Sequence, residues 1–132
     1  MSIAPHIIIA ARNGSQIALA NPSAVVIDLG SVAFHRGDIR VAGSTSGKST
    51  YEFKISAMLC AAAGNLVEYY EIVDGIWGGH ECGGPIDPLN IIRQYLPSIR
   101  RRLQCVGLDI SLRWGLGLVV VPLAPMYLQA AE

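Results

Sequence analysis

Hydrophobic residues along this chain keep two different beats. From residue 108 onward Leu108, Ile110, Leu112, Trp114, Leu116, Leu118 and Val120 take every second position, with Asp109, Ser111 and Arg113 between the first of them. A period of two puts these side chains on one face of an extended chain and predicts a long C-terminal strand over about 108–121. Just before it, Leu89, Ile92, Leu96, Ile99, Leu103 and Val106 recur at steps of 3, 4, 3, 4 and 3. That is the beat of a helix with one narrow apolar stripe. Asp87 suits the N-cap, Pro88 the first helical position and Gly107 the stop. The principal helix is therefore expected over about 87–106, with Pro97 as a place where it bends or breaks.

The N-terminal half predicts short strands. Ile7–Ile9 is a β-branched run, and Asn13-Gly14 supplies the positive φ of a tight hairpin turn. Residues 17–20 then read as its return strand. Asn21-Pro22-Ser23 is a second turn, followed by strands at 24–27, 32–34 and 39–41. Tyr51, Phe53 and Ile55 alternate with Glu52, Lys54 and Ser56, which reads as a half-buried strand. Residues 57–63 lack β-branched side chains and fit a helix. Residues 66–73 fit either a strand or a helix, and are assigned here to a strand on the composition of Tyr69, Tyr70, Ile72 and Val73. Five glycines among residues 75–84 mark a loop. The sum is a single α+β domain over residues 1–132: a mainly antiparallel sheet or small partly closed barrel, one principal amphipathic helix and a long closing strand.

Composition changes this picture in one respect. Ten Lys and Arg balance ten Asp and Glu, and charged residues are 15% of the chain against a usual ~25%. A small protein with so little charge has apolar surface to cover, which points to self-association. Zero net charge gives no global attraction to a polyanion, so nucleic acid is not an expected partner. Residues 114–131 carry no charge, yet their period of two and the prolines 122 and 125 argue against a membrane-spanning helix. Cys60, Cys82 and Cys105 are odd in number and far apart, and the start of the chain lacks the pattern of a secretory signal. Both features point to a reduced, cytoplasmic setting.

Three patterns carry candidate chemistry. Ala42-Gly43-Ser44-Thr45-Ser46-Gly47-Lys48-Ser49 resembles a Walker A loop over these eight residues. The resemblance implies phosphate binding by Gly43, Gly47, Lys48 and Ser49, with Lys48 as a point charge and Ser49 toward magnesium. Such a loop must join a buried parallel strand to a helix, and the alternation after Ser49 favours a hairpin instead. His80 and Cys82, within Gly78–Gly84, could share a metal or a reactive thiol, although a tetrahedral site needs four ligands at recognisable spacing. Lastly, residues 65–87 hold Glu68, Glu71, Asp74, Glu81 and Asp87 and no base, while residues 93–113 hold Arg93, Arg100, Arg101, Arg102 and Arg113 and one acid. Three consecutive arginines spread over roughly 200° of a helix at 100° per residue, so pairing with acids is more economical than one basic stripe.

No catalytic set is identified and no cofactor is expected. The sequence favours a non-enzymatic protein that binds another protein or assembles as a homo-oligomer, as a structural component or an inhibitor. Partner contacts would fall on Trp77, His80, Glu81, Arg100, Arg101 and Arg102. The alternatives are a phosphate or nucleotide binder using the 42–49 loop, and a metal or thiol site at His80 and Cys82.

Overall fold

Four short strands, β1 (Ile7–Ala10), β2 (Val25–Asp28), β3 (Ala33–Arg36) and β4 (Ile39–Ala42), form the first sheet in the order β1-β2-β3-β4. The computed structural model describes residues 5–79 and 84–123. Strands β2, β3 and β4 are antiparallel neighbours, as their tight connections require, but β1 and β2 run parallel. Parallel neighbours need a crossover, not a hairpin. The crossover contains α1 (Gly14–Ala20), where the sequence suggested a return strand. Asn13 does adopt the left-handed conformation, with φ 62°, but the turn it makes opens a helix.

Asp28 explains why the helix wins there. Its carboxylate, at the end of β2, accepts hydrogen bonds from the backbone N–H of Gly14 at 2.7 Å, Gly30 at 2.9 Å and Ser31 at 3.0 Å. One buried side chain thus satisfies the start of α1 and the turn after β2. A Cβ at position 14 would lie 2.5 Å from Asp28 Cβ, so only glycine fits this approach. Burial raises the Asp28 pKa, but the hydrogen bonds from Ser31, Gly14 and Gly30 outweigh it and hold the group below the usual carboxylate range. The neighbouring strand buries His35, whose Nε2 has no partner among the described residues. Burial pulls its pKa down against the attraction of Asp28, which keeps the ring neutral near pH 7.

The second half is built from helices and a hairpin. Helix α2 (Tyr51–Ala61) begins at Thr50, whose hydroxyl accepts from Phe53 N–H at 3.2 Å. The strand expected at 51–56 is therefore a helix. The six-residue alternation misled because Ser56 is buried, with its hydroxyl donating to the Glu52 carbonyl at 2.9 Å, so it marks no solvent face. Strand β5 (Val67–Glu68) is two residues long, and α3 (Tyr69–Trp77) follows it. The strand assigned to 66–73 gives way to this helix because Glu68 and Glu71 form a reciprocal capping box at its start. Helix α4 (Pro88–Gln104) has the anticipated limits, and Asp87 accepts from Asn90 N–H at 3.2 Å. It runs through Pro97, which is exposed and removes the helical donor of the Arg93 carbonyl.

The stretch 108–121 is extended, but as two strands. Strands β6 (Leu108–Arg113) and β7 (Gly117–Pro122) pair antiparallel around a turn closed by Leu116 N–H to the Arg113 carbonyl at 2.9 Å. Gly115 supplies its positive φ of 69°. The second sheet has the order β5-β7-β6. A Cβ at Gly117 would strike the Val67 carbonyl, so this glycine permits the close approach of β5. Neither sheet closes into a barrel. Buried side chains from β2, β3, all of α2–α4 and the hairpin form one continuous core, with Phe34 and Phe53 packed at 5.5 Å between ring centroids. No helix among the described residues is long and apolar enough to cross a membrane.

Asp28→Ala strands the N–H groups of Gly14, Gly30 and Ser31, and is expected to cost about 3 kcal/mol in urea unfolding at pH 7. Because folding depresses the Asp28 pKa, its contribution is complete above the unfolded value of about 3.9 and is lost as pH falls below it. The stability gap between wild type and Asp28→Asn is therefore expected to narrow between pH 5 and pH 2.

Candidate nucleic-acid interface

Helix α4 carries four arginines and no acid along Pro88–Gln104. At 100° per residue, Asn90, Arg93, Gln94, Pro97 and Arg101 fall within roughly 100° of arc. All five are exposed, while Ile92, Leu96, Ile99 and Leu103 on the opposite side are buried. The outward arc therefore presents two amides and two guanidinium groups. Among the described residues, neither Arg93 nor Arg101 has an ion-pair partner.

The other two arginines flank this arc and anchor the helix. Arg100 Nε donates to Asp109 Oδ1 at 3.0 Å, tying α4 to β6. Arg102 Nη1 donates to Glu52 Oε2 at 2.9 Å and to Ser98 Oγ at 2.8 Å, and Ser98 donates to the same carboxylate at 3.0 Å, tying α4 to α2. Burial raises the Asp109 pKa, but the hydrogen bond and charge of Arg100, with the Ile110 N–H, bring it below the ordinary value. Pairing of the arginines with acids is thus realised for two of the three, although the acids are Glu52 and Asp109, not the acidic stretch 65–87.

Beside α4 stands the β6–β7 hairpin. Arg113 and Trp114 are exposed at its tip, and Tyr69 N–H donates to the Leu116 carbonyl at 3.0 Å. The tip is thereby fixed to the first turn of α3. An open groove of about 730 Å³, lined by Tyr69, Tyr70, Val73 and Leu89 among others, joins the first turn of α3 to the first turn of α4. Tyr69 thus touches the hairpin tip through Leu116 and shares the groove with Leu89 of α4.

The residues singled out in the sequence are dispersed. Gly43, Gly47, Lys48 and Ser49 lie in the connection from β4 to α2. That connection does lead into a helix, but β4 is an exposed antiparallel edge strand. Gly43 is buried against the Phe53 ring, and its N–H donates to the Val32 carbonyl at 2.8 Å. Lys48 N–H donates to Ser46 Oγ at 3.2 Å, while Ser44 Oγ donates to the Lys48 carbonyl at 2.7 Å. Two N–H groups that a phosphate cradle would use are committed within the protein. Trp77 ends α3 instead of lying in a loop, and it is 3% exposed, edge-on to Tyr51. It belongs to the core. His80, Glu81 and Cys82 lie outside the described residues, and no cluster of metal-ligating side chains occurs among the described ones.

Sequence reasoning missed the amides. Attention to the three consecutive arginines obscured Asn90, Arg93 and Gln94, which share the arc of Arg101. The usable signal was the absence of any acid from the helix, combined with a helical projection.

Asp109→Asn is expected to lower stability by about 1 kcal/mol at pH 7, the scale of an ion pair whose arginine remains partly in solvent. Since folding depresses the Asp109 pKa, the difference should shrink once pH falls below about 3.9, which chemical unfolding at pH 7 and pH 3 would measure. No protein-family model matches the chain, and no curated protein matches it.

Proposed function

We propose that the protein binds double-stranded DNA, without catalysis, by laying the outward arc of α4 in a major groove. The observation that carries this reading is the chemistry of that arc: Asn90, Arg93, Gln94 and Arg101 are exposed together, with no acid on the same helix. Asn and Gln amides match the adenine edge, and Arg matches the guanine edge. A helix of this width fits a major groove, and a preceding helix packed against it is the arrangement of helix-turn-helix readers. The connection here, residues 78–87, is longer than the roughly three or four residues of the tight form. The likeness therefore concerns which helix faces outward, not the turn.

Zero net charge does not oppose this reading, because local charge decides contact. Two arginines of α4 are neutralised by Glu52 and Asp109, which leaves Arg93 and Arg101 to meet phosphates or bases. Arg113 on the adjacent hairpin adds a third exposed cation. The reading shares with the sequence expectation a binding role without chemistry, and differs in the partner.

Fluorescence anisotropy with a labelled random duplex tests it. Wild type is expected to bind at ~50 mM salt and to weaken as salt rises, with a slope of about two to three for its few exposed arginines. Arg93→Ala/Arg101→Ala should weaken binding by roughly tenfold or more and reduce the salt slope by about one to two, with helical content unchanged by circular dichroism. Duplex binding that the double variant leaves intact, or no duplex binding by wild type at low salt, would sink the proposal.

A further inference from the structure

The tip of the β6–β7 hairpin exposes an unusual amount of apolar surface. Trp114 is 96% exposed, and Leu116 and Leu112 beside it are 56% and 49% exposed. Nothing lies within 4 Å of a Cβ placed at Gly115, so the turn projects into open space. The hydrogen bond from Tyr69 N–H to the Leu116 carbonyl holds the base of this tip against α3. A large planar ring is therefore presented on a fixed support. Its chain neighbour Arg113 is exposed and cationic. The nearest acid in the pairing, Glu68 opposite Gly117, is engaged in the capping box of α3.

The cation selects among partners for such a ring. An apolar wedge beside a guanidinium suits the minor groove, where arginine meets the negative potential and an apolar side chain enters between base pairs. Tyr69, whose N–H holds the tip, also lines the groove that reaches Leu89 in the first turn of α4, next in sequence to Asn90. Resting on the reading of α4 as a major-groove element, we propose that Trp114 wedges into the flanking minor groove and unstacks a base step. The protein then binds a bent duplex and favours pyrimidine–purine steps, which unstack most easily.

Two labelled duplexes of about 25 base pairs test this, one with a central TA step and one with an A-tract at the same place. Trp77 is buried, so the change in tryptophan emission on adding DNA reports Trp114, and Trp114→Phe identifies its share. Wild type is expected to show quenching of Trp114, a shortened end-to-end distance by energy transfer, and severalfold tighter binding to the TA duplex. Trp114→Ala should bind several times more weakly, lose the shortening and the TA preference, and keep the salt slope, since no charge is removed. Salt-dependent duplex binding without quenching or shortening would overturn the wedge while leaving the α4 reading intact. Tighter binding to the single strand than to either duplex would overturn it in favour of simple stacking. Absence of any duplex binding would remove both.

Discussion

The face that α4 shows to solvent is set by the face it buries. Ile92, Leu96, Ile99 and Leu103 are packed into the common core, and burial of such side chains is worth roughly 1.5–3 kcal/mol each. The two ion pairs on the flanks of the helix are worth about 1 kcal/mol apiece at their exposure. Burial therefore fixes the rotation of the helix about its axis, and Arg100 and Arg102 hold its two sides to β6 and α2. A shift of one residue in the apolar stripe would turn the helix by roughly 100° and carry the arc shared by Asn90, Gln94 and Arg101 away from its outward direction.

The first sheet supports this helix indirectly. Its inner face supplies Phe34 to the ring of Phe53 in α2, and α2 supplies Glu52 to Arg102. The parallel pair β1 and β2 depends in turn on Asp28, which serves both the start of α1 and the turn after β2. The chain from Asp28 to the outward arc thus runs through packed elements, with polar groups used where a helix start or a helix rotation must be fixed. Of the buried polar side chains in the first half, Asp28, Ser44 and Ser56 bond to backbone groups.

Legibility in the sequence followed the strength of local signals. Helix α4 was readable because Asp87, Pro88 and the 3–4 spacing agree with one another and with the burial they predict. The hairpin was hidden for a specific reason. Its register pairs Arg113 with Gly117 and Leu112 with Leu118, so partners share parity and the even-numbered apolar run continues unbroken through the turn. Only Gly115 signalled a reversal. Helix α2 was hidden by the buried Ser56, and α1 by an Asn-Gly pair whose usual hairpin meaning was overridden by Asp28, fourteen residues away. The arginines did spread around the helix as its geometry requires. What escaped notice was that Arg101 shares its arc with residues of another type.

That mixture of amides and few cations has a physical consequence for a duplex partner. Non-specific affinity comes from phosphates neutralised and counterions released. A chain with equal numbers of acids and bases, two of whose helix arginines are already paired, offers few charges for that purpose. Its non-specific binding would be weak and would fall with salt along a shallow slope. Discrimination would then rest on hydrogen bonds from Asn90, Arg93 and Gln94 to base edges, each bidentate contact contributing roughly 1–3 kcal/mol, and on the shape of the step beside them. Low charge, which in composition alone argued for a protein partner, is in this geometry the condition under which a small interface selects sequence more strongly than it binds DNA at large.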